Sequence, residues 1–102
     1  MIVAAAKIVL DFWGNDDLRK KRKLIDTLAE QLHSAHKVYI TEVEEFDDLE
    51  RCVLGLSYCS RDTTSARDRM KKVLDFIDKN SAARVFAEDS DFQEFAGSYP
   101  SP

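Results

Sequence analysis

The sequence predicts an α+β domain of the ferredoxin-like type, with element order βαββαβ, a four-stranded antiparallel sheet and both helices on one face. Alternating apolar residues mark strands at 2–12, 38–43 and 52–59, and helical spacing marks the two segments between them. A shorter fourth strand begins at Ala83. Both crossover helices should lie on the same sheet face because βαβ connections are right-handed. A chain of 102 residues suits one domain, which we place at residues 1–96, followed by a disordered tail at 97–102.

The two helices have clear start signals. Asp16 or Asp17 can cap the first helix, which should continue to about Ser34, and Asp62 can cap the second. Asn80 is a plausible stop for the second helix. Each helix carries one apolar stripe that should seal one sheet face, formed by Leu18, Ile25, Leu28 and Leu32 in the first and by Ala66, Met70, Val73, Leu74 and Ile77 in the second.

The opposite sheet face has no helix to cover it. The alternation places Val3, Ala5, Lys7 and Val9 beside Val53, Gly55, Ser57 and Cys59 on this open face. An apolar patch of that size is rarely left in water, so we expect the tail or another subunit to cover it. The candidates for an oligomer interface, most simply that of a homodimer, are Val3, Val9, Val53 and Cys59.

The charge distribution is uneven. The net charge of −4 argues against a duplex-DNA binder, yet residues 19–23 are five consecutive bases at the start of the first helix. Helical geometry groups Arg19 with Arg22 and Lys23, turns Lys20 elsewhere, and puts Lys21 on the apolar stripe, from which its ammonium should snorkel to water.

Two interpretations of this basic run stay open: a solvated helix face, or a contact with RNA phosphates. Cations near a helix N-terminus oppose the helix dipole, and such a locally unfavourable choice can mark function. The candidate nucleic-acid-binding residues are Arg19, Lys20, Arg22 and Lys23, with Lys7 and Trp13 as weaker additions.

Patterns for catalysis, metals and cofactors are missing from the sequence. His33 and His36 make half a metal site, and the acidic stretch at 42–50, which we expect to have some helical character, lacks a calcium-loop motif. Cys52 should face the helices and Cys59 the open face, so the two should not pair. We therefore expect a non-enzymatic protein of the reducing cytoplasm, with no metal, no cofactor and no membrane span.

Several short motifs resemble the YlxP-like family of small bacterial proteins, a domain of unknown function. They are residues 1–3, Leu18-Arg19-Lys20-Lys21-Arg22, Glu42-Val43, the segment 47–51 and Leu54-Gly55. The resemblance covers about residues 1–80. Residues 17–22 resemble the family's Ser-Leu-Lys-x-Lys-Arg helix opening, whereas Leu49 stands where the family's loop often has tryptophan.

This resemblance implies a ferredoxin-like fold and no enzymatic activity. YlxP-like proteins are often encoded beside translation and ribosome-maturation factors, which implies a role near the small ribosomal subunit. The implied partners are ribosomal RNA or ribosomal proteins.

Overall fold

Six elements form in the order that the sequence predicts. A computed structural model describes residues 1–80 and 82–97, so positions 98–102 of the expected tail lie outside the described residues. The elements are β1 (Ile2–Asp11), α1 (Leu18–His36), β2 (Ile40–Glu44), β3 (Arg51–Ser60), α2 (Thr63–Asn80) and β4 (Arg84–Glu94). The strands make one antiparallel sheet in the order β2-β3-β1-β4. The predicted βαββαβ architecture is confirmed.

β1 is the central strand that organises the sheet. It pairs with β3 from Ile2 opposite Ser60 to Asp11 opposite Arg51, and with β4 along nearly its whole length. The β4 ladder shifts register between Val9 and Leu10 of β1, which leaves Phe86 in a bulge. This pairing explains why β4 reaches Glu94, further than the sequence predicts: a long partner strand provides hydrogen bonds for all of it.

Side-chain caps define the start of both helices. The Asp17 carboxylate accepts a hydrogen bond from the Arg19 N–H at 2.8 Å, and the Asp62 carboxylate accepts one from the Ser65 N–H at 2.8 Å. α1 ends at Lys37, which takes a left-handed conformation (φ 56°) and donates its N–H to the His33 carbonyl. The predicted caps at Asp17 and Asp62 are therefore confirmed.

One hydrophobic core lies between the helices and the sheet face that they cover. Tyr58 closes it at one end by donating its hydroxyl to the Ala66 carbonyl at 2.5 Å. The fully buried members, each at most 2% exposed, are Ala4, Ile8, Leu10, Phe12, Leu28, Leu32, Val38, Cys52, Leu54, Ala66, Val73 and Ile77. The predicted apolar stripes of both helices contribute to this core. The opposite faces of the two helices are exposed.

The connection before β3 differs from the expectation. The sequence suggested some helical character for the acidic stretch, but residues 45–50 form turns, and Glu45 takes a positive φ of 61°. β2 also begins at Ile40 rather than at Val38, because Val38 follows the left-handed Lys37 and is buried in the core before the sheet ladder starts.

Candidate functional site

The start of α1 presents the predicted basic residues to solvent. Arg19, Lys20, Arg22 and Lys23 are all exposed, whereas Lys21 is turned inward. Lys20 forms an ion pair with Asp16, with its Nζ 3.4 Å from the carboxylate. The other three exposed cations have no ion-pair partner in the part of the chain that the structure describes. Three unneutralised cations within two helical turns form a surface that can attract phosphate groups.

Trp13 lies next to these cations, at the turn between β1 and α1. Its side chain is 91% exposed although the preceding Phe12 is only 2% exposed. The turn itself is fixed: the Asn15 N–H donates to the Phe12 carbonyl at 3.0 Å, and the Gly14 N–H donates to Glu50 Oε2 at 3.0 Å. Gly14 has φ of 83°, a conformation that glycine adopts without strain. The indole is therefore held out into solvent by an ordered backbone.

Two surface clefts flank Trp13. The smaller, about 240 Å³, also has Lys20 in its lining. The larger, about 460 Å³, contains Arg84, Asp11 and Asp78. Arg84 could not be singled out from local patterns, because its place in a cleft with Trp13 follows from the pairing of β4 with the end of β1.

Lys7 does not belong to this cation group. It lies in the middle of β1, opposite Gly55 of β3, on the sheet face away from the helices. Its ammonium forms an ion pair with the Glu44 carboxylate. Of the six predicted nucleic-acid-binding residues, Arg19, Lys20, Arg22 and Lys23 thus lie at the start of α1, Trp13 lines a cleft with Lys20, and Lys7 lies on another surface.

The open sheet face is less exposed than the sequence suggested. Val53 is only 4% exposed, Val3 and Val9 are half-buried, and Cys59 is exposed. Long side chains lie on this face: the Lys7–Glu44 ion pair, and the Arg51 guanidinium 4.0 Å from the centre of the Phe86 ring. Val53 is therefore largely covered by its neighbours, and its place in an oligomer interface stays a prediction.

This face also lacks the aromatic platform of some RNA-binding sheets. RNA-recognition domains with the same element order stack bases on aromatic residues of their two central strands. Here the central strands β1 and β3 present Val3, Ala5, Lys7, Val9, Val53, Gly55, Ser57 and Cys59. The open side of these two strands therefore offers no aromatic ring on which a base could stack.

Lys21 has a structural role that the sequence did not reveal. We expected its ammonium to reach solvent, but the side chain is 1% exposed. Its Nζ donates to the carbonyl oxygens of Glu45 and Asp48, both at 2.6 Å, and lies 3.3 Å from Glu42 Oε2. One buried cation therefore ties the acidic turns to the first helix, and the prediction of a snorkelling Lys21 is wrong.

Further hydrogen bonds fix the acidic turns beside the start of α1. Asp48 Oδ1 accepts from the backbone N–H groups of Arg51 at 2.7 Å and Glu50 at 2.9 Å. These two bonds hold the pKa of the Asp48 carboxyl below its ordinary value. Asn15 donates its side-chain amide to the Leu49 carbonyl at 2.7 Å. Negative and positive surfaces consequently meet at this end of the molecule.

Comparison with known proteins identifies the family of this chain. The model of the family DUF503, described as "Protein of unknown function", matches residues 3–89. The chain belongs to the DUF503 family. No curated protein matches it.

Solved structures similar to this DUF503 protein share its fold. One is a dimeric ferredoxin-like protein from an uncultured marine organism, 13% identical, with a TM-score of 0.50 over 97% of this chain and 100% of the other. Another is a de novo designed protein with a ferredoxin fold, 16% identical, with a TM-score of 0.43 over 99% and 93% of the two chains. At this identity the first likeness supports the ferredoxin-like fold alone.

The cysteine and histidine side chains of this DUF503 protein lie in different surroundings. Cys52 is buried against the helices, and the loss of hydration raises the pKa of its thiol to about 12. Cys59 is exposed on the open face, as the alternation predicts. The His33 ring packs on Tyr39, with centroids 4.4 Å apart, and His36 packs edge-on against Phe76 at 4.9 Å. Within residues 1–80 and 82–97, neither helix is long and apolar enough to cross a bilayer.

Proposed function

We propose that this DUF503 protein is a non-enzymatic cytoplasmic protein that binds RNA through the start of α1. The observation that carries the proposal is the set of exposed cations Arg19, Arg22 and Lys23, which have no acidic partner among the described residues, beside an exposed Trp13. The motifs shared with YlxP-like proteins support ribosomal RNA, or a small-subunit assembly intermediate with its ribosomal proteins, as the partner.

The number of phosphate contacts predicts how strongly salt should weaken RNA binding. Each phosphate contact with single-stranded RNA contributes about −0.7 to the slope of log affinity against log salt. Three contacts, from Arg19, Arg22 and Lys23, would therefore weaken binding about 20-fold between about 50 and 200 mM salt. A much shallower slope would mean that these cations do not touch the RNA backbone.

A matched pair of charge reversals tests the position of the binding surface. Arg22→Glu/Lys23→Glu changes two adjacent exposed cations of α1, and Lys71→Glu/Lys72→Glu changes two adjacent exposed cations of α2. Both double variants alter the net charge by the same amount. Fluorescence anisotropy with labelled ribosomal RNA fragments should show loss of binding for the first and near-normal binding for the second. Absence of binding at low salt, or equal losses in both variants, would contradict the proposal.

A homodimer through the open sheet face is the second candidate function. It is favoured by the half-buried Val3 and Val9 on a face without helical cover, and the similar marine ferredoxin-like protein is described as dimeric. Val9→Glu should split such a dimer, whereas Thr27→Glu, on the exposed face of α1, should leave it intact. Light scattering measures both, and a monomeric unmodified protein removes this candidate.

A further inference from the structure

We propose that Trp13 is a stacking platform for one unpaired nucleobase of the bound RNA, with Lys20 in one of the two clefts that Trp13 lines and Arg84 in the other. This inference rests on the proposed function and deepens it. The α1 cations account for attraction to any phosphate backbone, whereas a platform selects single-stranded RNA, such as a loop or a bulge, over a duplex.

The first step is that the indole ring of Trp13 is exposed and has no ring or cation partner among the described residues. Among the exposed aromatic rings of the described residues, Tyr39 packs on the His33 ring and Phe86 lies under the Arg51 guanidinium, whereas Phe46 and Phe95, 57% and 49% exposed, have no ring or cation contact. In residues 1–80 and 82–97, Trp13 has no ring, cation or hydrogen-bond partner. The turn that carries it is ordered by backbone and Glu50 hydrogen bonds. An aromatic surface that is free yet already positioned is suited to stacking, because little ordering is left to occur on binding.

The second step is the chemistry of the larger cleft. Arg84 offers hydrogen-bond donors, and the carboxylates of Asp11 and Asp78 offer acceptors. The edges of nucleobases carry both donors and acceptors, so this mixed lining suits a neutral base better than a phosphate. A base lying on the indole would meet these groups with its edge.

The third step is the smaller cleft that Trp13 also lines. The smaller cleft has Lys20, and α1 continues from there with Arg22 and Lys23. A base in the larger cleft would leave its backbone phosphates directed toward these cations. The arrangement of a base platform next to a cationic track is how proteins bind single strands with little dependence on sequence.

The sole tryptophan makes the inference directly measurable. Trp13 is the only tryptophan in the chain, so its fluorescence reports stacking without interference. A short RNA hairpin with an unpaired loop should quench this fluorescence and protect it from acrylamide, and a fully paired duplex of similar length should not. Trp13→Ala should weaken hairpin binding about tenfold or more, and Trp13→Phe should recover part of the loss. Tyr39→Ala removes another exposed aromatic residue and should bind normally.

The outcomes separate the platform from the proposed function. Normal hairpin affinity in Trp13→Ala, with unchanged Trp13 fluorescence in the unmodified protein, overturns the platform and leaves binding by the α1 cations intact. Tighter binding of the duplex than of the hairpin also overturns the platform. Binding of neither RNA overturns both.

Discussion

Replacing Lys21 with methionine should destabilise the fold by about 3 kcal/mol. Methionine keeps an unbranched side chain of similar length, so the packing of the stem changes little. The variant removes an ammonium that is 1% exposed and has two carbonyl partners at 2.6 Å and the Glu42 carboxylate at 3.3 Å. The experiment therefore isolates the buried charge.

The size of the destabilisation depends on the groups that the lost ammonium leaves without a partner. Removing one partner of a fully buried ion pair costs about 3–5 kcal/mol. Glu42 Oε2 is buried, but the Glu42 side chain as a whole is 22% exposed and the contacts of Lys21 with the Glu45 and Asp48 carbonyls are only partly buried, so the site is not fully closed to water. This access places the cost at the lower end of that range. The melting temperature should fall by about 12–24 °C, since 1 kcal/mol corresponds to about 4–8 °C in a domain of this size.

Urea denaturation at neutral pH, followed by circular dichroism, measures the loss. The midpoint should fall while the slope stays unchanged, because the same surface is exposed on unfolding. Lys21→Met/Glu42→Gln should be more stable than Lys21→Met alone, since the double variant no longer holds an unpaired carboxylate. A Lys21→Met protein within about 1 kcal/mol of the unmodified one would refute the reasoning, as would a double variant no better than the single one.

Two further predictions concern the thiols and the acid side of the stability curve. At neutral pH one equivalent of a thiol reagent should react quickly with Cys59. Cys52 should react only after denaturant is added, because burial raises the pKa of its thiol to about 12. Reaction of two equivalents with the native protein would contradict this prediction. Asp48 and Asp62 have lowered pKa values because each accepts backbone N–H bonds, from Arg51 and Ser65 first among them. Their contribution to stability should be complete above the ordinary aspartate pKa of 3.8 and lost as the pH falls through the lower folded pKa. Asp48→Asn and Asp62→Asn should thus destabilise the protein at neutral pH and change its stability little below that window. Thermal melts across the pH range measure the difference in stability from the unmodified protein. A difference that does not depend on pH would exclude the carboxylate charge as its cause.

Local patterns were sufficient to predict most of the fold. The alternation in β1 and β3 identified the buried face, and spacings of three and four identified the buried stripes of α1 and α2. The caps at Asp17 and Asp62 were predictable because a cap depends on residues only two or three positions away. The sides on which Cys52 and Cys59 lie follow from the same two-residue period.

Features that depend on distant partners were not predictable. The Lys21 ammonium is buried because carbonyls 24 and 27 residues away come to it, and no local pattern specifies that approach. The full length of β4 depends on β1, its partner in the ladder. The position of Arg84 beside Trp13, and the coverage of Val53 by its neighbours on the open face, depend on the same assembled sheet.

The basic run at the start of α1 therefore combines residues with different physical roles. Lys21 holds the acidic turns, Lys20 pairs with Asp16, and Arg19, Arg22 and Lys23 are exposed without an ion-pair partner among the described residues. A test of the proposed RNA binding that neutralised the whole run would destabilise the fold and remove the candidate surface at the same time. The exposed pair Arg22 and Lys23 avoids this confusion, because its replacement leaves the Lys21 contacts in place.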